Sequence, residues 1–451
     1  MTASEPSNDS SRATVLDRAE RFVKCAAVNI RIAYASFLCF AVAASGQTAP
    51  LTVDDCIRLA MKAPSQVTVG QQELRIAAYG ITVAKSGFLP QLQIGTGFTY
   101  NSPPRSALDS NTQSFVALNG IREYQSALGT GMEIDTSGRL RAELARARAD
   151  QRIAAADLAI LQRDLKRAVT AAYYRVLLAR HLIAANRDVL TEAESFAERT
   201  RAMFKAGEVA QADVVKADAQ VAFLAQTLRA AELDARLANA DLASFWTSDV
   251  SAELPLADDL ENPTPPDSAA PEATAFLRRP EFRLYDAQRT GFQADVRRER
   301  AALFPHLTLN YQYGLDANRL AWSERGQAAF FNFNIPVFDW FRARSLAGQF
   351  RLRAEQVETR REISTREFSR DYQNALARTR LLYEQIGMTQ TQVKSSRDNV
   401  KLSRLRYEGG EGPALEVVAA QSQLAQAQTN YYTALANYAA SRVELEVASG
   451  K

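Results

Sequence analysis

Phe204-Lys205-Ala206-Gly207-Glu208-Val209-Ala210-Gln211-Ala212-Asp213-Val214-Val215 is the stretch whose reading decides the fold. A glycine stops one helical run, and an acid three residues into the next run restarts it. From Arg139 to Ala206 there is neither proline nor glycine, and alanine, leucine, arginine and glutamate dominate. These side chains lose little freedom in a helix. Leu158, Leu161, Leu165, Val169, Ala172, Val176, Ala179 and Ile183 recur at steps of three or four, close to the repeat of about 3.5 that supercoils to the left. At ~1.5 Å per residue the run spans roughly 100 Å, far more than a globular domain needs. A second helical run follows to Trp246, so residues 138–246 read as a long antiparallel coiled-coil hairpin with a sharp tip.

The same pattern returns. Tyr407-Glu408-Gly409-Gly410-Glu411-Gly412-Pro413-Ala414-Leu415-Glu416-Val417-Val418 lies over the first tip at a constant offset of 203, pairing Phe204 with Tyr407, Gly207 with Gly410 and Asp213 with Glu416. Gly138-Arg139-Leu140-Arg141 falls over Phe341-Arg342-Ala343-Arg344 at the same offset. Upstream the offset grows to 215 for Pro90 and Pro305, because the first half carries about twelve extra residues before Gly138. Internal duplication of this kind is sought first because it fixes the architecture. The chain divides into 1–46, an N-terminal extension and signal peptide; 47–249, a first repeat with a β-hairpin near 91–135; 250–271, a proline-rich linker; and 272–451, a second repeat with a β-hairpin near 306–338 and a helical hairpin over 342–449.

Between helices the period changes to two. Leu92, Ile94, Thr96, Phe98 and Tyr100 alternate with Gln93, Gly95, Gly97 and Thr99. Tyr124–Ile134, Leu307–Leu315 and Phe331–Val337 alternate likewise, with Pro336 expected at a strand end where a ladder donor is dispensable. Residues 101–121 read as an exposed loop. Leu51–Gly87 reads as a helix opened by Thr52 and Asp55, which Pro64 should break or bend. Strands of about ten residues with one apolar face have the length and pattern of a transmembrane barrel. Four strands cannot close a barrel alone, and an open edge in lipid leaves backbone groups unpaired. The consequence is an oligomer in which each chain lends its strands to a shared barrel.

The N-terminus carries Arg31, the apolar run Ile32–Ala44 and the small residues Ser45 and Gly46, the form of a secretory signal. Leu38 before Cys39 argues against a lipid anchor, and polar residues 1–20 are either a cytoplasmic extension or precede the true start. Cleavage leaves Cys56 alone, so no intrachain disulfide forms. Net charge is +3 with acids and bases interspersed, which excludes a nucleic-acid surface. His181 and His306 have no second ligand at metal spacing; His181 reads as a helix-surface residue and His306 as a membrane-interface one. No catalytic or cofactor-binding motif is present, so no enzyme is expected.

The two tips, the Phe88-Leu89-Pro90 and Phe304-Pro305 strand starts, Arg279-Pro280-Glu281-Phe282 and Ile335-Pro336-Val337-Phe338-Asp339 before Arg342 and Arg344 together resemble the TolC-like outer-membrane factor family. The resemblance implies a mainly α fold with a β-barrel portion: a homotrimer of tandem repeats, four transmembrane strands per chain, embedded in outer-membrane lipid and continued by a helical tunnel into the periplasm. It implies a passive duct of a tripartite efflux or type I secretion system, partnered by a periplasmic adapter and an inner-membrane pump. It assigns adapter docking to the tip residues Phe204, Gly207, Glu208, Val209, Ala210, Tyr407, Gly410, Glu411, Gly412 and Pro413. Glu208, Asp213, Glu411 and Glu416 are candidate entrance charges, Asp213 and Glu416 also being suited to helix N-termini. Three departures stand out: Glu208 and Glu411 where the family has an aliphatic residue or its equivalent, Phe341 where it has glycine, and Glu133 where it has proline. The second reading is a periplasmic coiled-coil scaffold or adapter without a pore.

Overall fold

A computed structural model describes residues 50–102, 122–266 and 272–450. The signal segment and most of the 101–121 loop lie outside the described residues. In chain order the elements are α1 (Val53–Lys62), α2 (Gln66–Ser86), β1 (Gln91–Tyr100), β2 (Arg122–Ile134), α3 (Arg139–Lys205), α4 (Gln211–Ala243), α5 (Pro280–Ala301), β3 (His306–Ala317), β4 (Arg325–Asn334), α6 (Arg342–Glu408) and α7 (Ala414–Ala448).

Both α3 and α6 run unbroken for 67 residues. Of the two outcomes expected at Pro64 the structure has the break: the helical stretch over 51–87 is two helices, α1 ending before Pro64 and α2 restarting after Ser65. Thr52 and Asp55 form the anticipated reciprocal cap on α1. The first return helix stops at Ala243 rather than Trp246, and the last three residues form a turn.

The helices pack as a layer. α3 lies against α2 and α4 on one side and against α5 and α7 on the other, and α6 packs on α5 and α7. α2, α3, α5 and α6 therefore follow one another across the layer, while α4 and α7, paired with α3 and α6, also touch each other through Gln220 and Ser422 at 3.0 Å. There is no single core. Four apolar clusters are strung along the long axis, one at the tips around Phe196, Tyr407 and Val417, one around Leu224 and Leu424, a large one around Tyr173, Leu242 and Tyr438, and one around Phe282 and Tyr372. Alanine recurs at the buried positions of the long helices, such as Ala193, Ala197, Ala238 and Ala427, which lets the backbones approach closely.

The linker departs from expectation. A proline-rich linker reads as surface chain, yet Leu254, Leu256 and Leu260 are buried in the largest cluster. Leu51 pairs with Leu256 in a short parallel bridge. Tyrosine and arginine side chains then tie the segment down: Tyr438 Oη donates to Thr264 O at 2.5 Å, Arg180 to Leu254 O at 2.6 Å and Tyr173 to Ala257 O.

The four strands form one antiparallel sheet in the order β1-β2-β3-β4. β4 begins at Arg325, earlier than its alternation suggested, and ends at Asn334, so Pro336 falls beyond it. Each strand is continuous with a helix: β1 follows α2, β2 precedes α3, β3 follows α5 and β4 precedes α6. Strand order and helix order are consequently the same.

Candidate functional site: the hairpin tips and the one-faced sheet

The two tips are the same structure built twice. At the first, Gly207 adopts φ +78°, its N–H donates to Phe204 O at 2.9 Å and the Glu208 N–H reaches Met203 O at 2.9 Å. At the second, Gly410 has φ +74°, its N–H donates to Tyr407 O at 3.0 Å and the Glu411 N–H to Arg406 O at 2.8 Å. This crossed pair of bonds is the Schellman cap, and its left-handed residue is why a glycine holds each position. Ala210 and Pro413 then precede α4 and α7, and Asp213 and Glu416 sit in the first turns, where negative charge favours the helix dipole.

The four acids are not equivalent. Asp213 pairs with Lys216 at 3.3 Å, and Glu416 with Arg406 at 3.0 Å. Among the described residues Glu208 and Glu411 have no ion-pair partner, so the net negative field at the turns comes from these two. The matched aromatics also diverge. Tyr407 is buried and packs edge-on against Phe196 at 5.2 Å, whereas Phe204 is exposed. Of the two, only Tyr407 is buried in the packing of the tip.

The sheet gathers its alternate residues on one side. The register sets Ile94 opposite Leu128, Leu128 opposite Tyr313, Leu309 opposite Met132 and Phe331, and Leu307 opposite Ile134 and Phe333. One face is thus apolar across all four strands. The other carries Gln93, Gly95, Gln125, Gly129, Thr308, Asn310, Gln312 and Asn332, with Phe330 its one large apolar side chain. Most of the apolar face is open, with Leu92 72% exposed, Ile94 75% and Phe331 72%; Leu315, at 5%, is its buried exception. Among the described residues both edge strands, β1 and β4, have an unpaired side.

The corners below the sheet diverge as well. At the first, Gly138 takes φ +82°, Arg139 is bound by Glu133 and Glu143, and Arg141 Nε lies 2.8 Å from Asp135. Glu133, the departure from the family's proline, is thereby an anchor for Arg139. At the second corner Trp340 and Phe341 both have positive φ, 53° and 61°. A left-handed non-glycine residue costs about 1–2 kcal/mol. Asp339 accepts from Ala343 N at 2.8 Å and starts α6.

The histidine reading needs correction. His181 is only 15% exposed and stacks on Tyr432 at 4.7 Å. Its Nε2 lies 2.8 Å from Asp258 Oδ2, off the line of an aligned hydrogen bond, with Glu261 3.8 Å from Nδ1. It therefore faces the linker and not solvent. His306 opens β3 with Nδ1 4.0 Å from Glu133. Nearby, burial pushes the Tyr174 hydroxyl up to about 12, with Asp259 adding to it, and burial with Glu261 does the same for Tyr432. Sequence reasoning missed this belt; its signal was the tyrosines, Tyr173, Tyr174, Tyr432 and Tyr438, in otherwise alanine-rich helices.

Long helical hairpins hung from a small antiparallel sheet define an outer-membrane channel fold. The Campylobacter jejuni CmeC outer membrane channel superposes with a TM-score of 0.79 at 16% identity, covering 88% of this chain and 85% of that one. The outer-membrane channel OprN superposes with a TM-score of 0.77 at 19% identity, covering 88% and 89%. The sequence model for outer membrane efflux proteins matches residues 57–247 and 273–451, so the chain belongs to the outer membrane efflux protein family. Curated relatives include the toluene efflux pump outer membrane protein TtgF of Pseudomonas putida, 25% identical over 414 residues and covering 84% of this chain and 79% of its own. The pyoverdine export outer membrane protein OpmQ of Pseudomonas aeruginosa is 25% identical over 380 residues, covering 83% and 80%. The protein is an outer-membrane efflux channel component whose helices extend into the periplasm.

Proposed function

We propose that three copies of this chain close into one passive duct, each lending four strands to a twelve-stranded barrel and its helical hairpins to a tunnel in the periplasm. The coincidence of open edges carries the reading. On one side the unpaired β1 follows α2; on the other the unpaired β4 leads into α6. The outer helices are apolar where they lack a neighbour, with Ile76, Tyr79 and Phe223 exposed on one side and Leu352, Leu381 and Met388 on the other. One rotation about a common axis brings both layers of one copy against both layers of the next.

The energetics demand closure. An edge strand of ten residues turns about five N–H and five C=O groups outward, each costing at least ~2 kcal/mol in hydrocarbon. Two open edges would cost roughly 40 kcal/mol, several times the stability of a typical domain. A scaffold without a pore would leave the apolar face in water, which large monomeric surfaces avoid.

In this reading residues 47–249 and 272–451 are tandem repeats joined by 250–271, and the polar sheet face lines the lumen. Its Gln, Asn, Thr and Gly supply a wetted wall and no chemistry. Export then takes its energy from an inner-membrane pump through a periplasmic adapter. The adapter docks at the tips, on Phe204, Gly207, Glu208, Val209 and Ala210 and on Tyr407, Gly410, Glu411, Gly412 and Pro413, and the unpaired carboxylates of Glu208 and Glu411 face the entrance. Light scattering of the detergent-purified protein is expected to return three chains per particle, with conductance in planar bilayers. A water-soluble monomer that leaves bilayers insulating would overturn the proposal.

A further inference from the structure

The two strand-to-helix corners match in sequence but not in what they leave exposed. Arg139 and Arg141 of the first are each held by carboxylates within the corner. Their counterparts Arg342 and Arg344 are exposed, and among the described residues neither guanidinium has a hydrogen-bond or ion-pair partner. Beside them Phe338 meets Trp340 and Phe341 edge-on at 4.9 and 5.8 Å, and all three rings stay exposed, Trp340 at 84%. Backbone strain at Trp340 and Phe341 is spent on presenting these rings outward, where the first corner uses Gly138.

The apolar stripe of β4 leads directly to this cluster. Phe331 and Phe333 lie on the apolar sheet face. Ile335 and Val337 continue the same alternation past the strand end, both exposed. Aromatic rings at the end of a lipid-facing stripe, followed at once by unpaired cations, match the acyl-to-headgroup boundary of a bilayer.

We propose that the 338–344 corner is a lipid anchor. Phe338, Trp340 and Phe341 seat at the inner-leaflet interface, and Arg342 and Arg344 bind the phosphate of anionic phospholipids there. Each chain carries one such anchor, since the first corner has spent its arginines internally and has no aromatic. Arginine suits this ligand because its planar fork meets a phosphate with two hydrogen bonds. The inference rests on the membrane reading above, and its test separates the two.

Trp340 is one of three tryptophans, so Trp246→Phe with Trp322→Phe leaves it the sole indole emitter. The assembled full chain with these changes is reconstituted into phosphatidylcholine vesicles holding a minor fraction of lipid brominated close to the headgroup. The brominated lipid is either phosphatidylglycerol or phosphatidylcholine. We expect strong quenching of Trp340 by both, and quenching by brominated phosphatidylglycerol that reports its local enrichment by roughly three- to tenfold. Arg342→Gln with Arg344→Gln should bring the two headgroups level while Trp340 stays quenched. Equal quenching by the two headgroups in the parent, or a preference that survives the arginine changes, overturns the assignment of Arg342 and Arg344 to anionic phospholipid. An unquenched Trp340 in a chain that floats with the vesicles means a neighbouring copy covers the corner, and overturns the anchor alone. A chain that does not float with the vesicles overturns the membrane reading as well.

Discussion

Glu281 is the most exacting single test of how the helical layer is held. It opens α5, and its Oε1 accepts from Arg163 of α3 at 2.8 Å and from Arg279 at 2.9 Å. Arg279 in turn lies over the Phe368 ring of α6 at 3.8 Å. The three charged side chains are 14%, 10% and 11% exposed for Glu281, Arg163 and Arg279. Glu281→Gln keeps the shape, removes the charge and sets an amide against two largely buried cations. Removing one partner of a buried pair costs about 3–5 kcal/mol. With roughly 400 ordered residues contributing about 2 cal/mol/K each, the unfolding entropy is about 0.8 kcal/mol/K, so Tm should fall by about 4–6 °C. Asp241→Asn is the control, because its pair with Arg175 is more than half exposed on both sides and is worth at most about 1 kcal/mol, or about 1 °C. The pH dependence has a definite sign. Burial raises the Glu281 carboxyl, but the hydrogen bonds from Arg279 and Arg163 outweigh it and hold the group below the ordinary range. Its contribution is present above the unfolded value and is lost as pH falls through the lower folded value. The gap between parent and variant should therefore be full at pH 7 and close only below about pH 4. Calorimetry of the purified protein checks both points. A Glu281→Gln loss no larger than that of Asp241→Asn refutes the reasoning.

Three further outcomes follow from the same geometry. Gly207→Ala and Gly410→Ala each place a Cβ in open space but at positive φ, so each should cost about 1 kcal/mol, read as faster proteolysis at the tip with the channel still assembled. Glu208→Gln with Glu411→Gln removes the two unpaired tip carboxylates and should lower cation preference in single-channel reversal potentials; unchanged selectivity counts against an entrance role. Tyr438→Phe deletes the bond to Thr264 O and leaves that carbonyl unpaired, costing about 1–2 kcal/mol, and should open the linker to protease before the helices.

The long helices were legible because their identity rests on local composition: no breaker intervenes between Arg139 and Lys205, and a glycine marks the stop. The strand faces were legible because alternation is a property of adjacent residues. β4 shows where that fails. Its first half, Arg325-Gly326-Gln327-Ala328-Ala329, has no apolar alternation and is a strand only because β3 supplies its hydrogen bonds. The linker failed for a similar reason. Its proline-rich composition reads as surface chain, but Tyr438 and Tyr432 hold it across more than 170 residues of sequence. His181 belongs with it, since its carboxylate neighbours Asp258 and Glu261 lie nowhere near it in sequence. At the tips, sequence located every turn residue but not which acids are neutralised, because Arg406 reaches Glu416 only once the hairpin is closed.

The copy number also has a physical argument beyond the resemblance. Edges of unlike identity, β1 with α2 against β4 with α6, make a head-to-tail contact, which closes into a ring or grows without end. Two copies would give eight strands, and a barrel of that size is about filled by its own side chains. The polar sheet face, proposed above to line the lumen, includes Gln93, Gln125, Gln312, Asn310 and Phe330, side chains long enough to occupy such a bore. Three copies give twelve strands and are the smallest ring that leaves a passage. Substituting those five positions with smaller residues should then raise conductance in proportion to the volume removed, because an open bore is limited by its lining. An assembly that conducts while weighing two chains would break the argument at its first step.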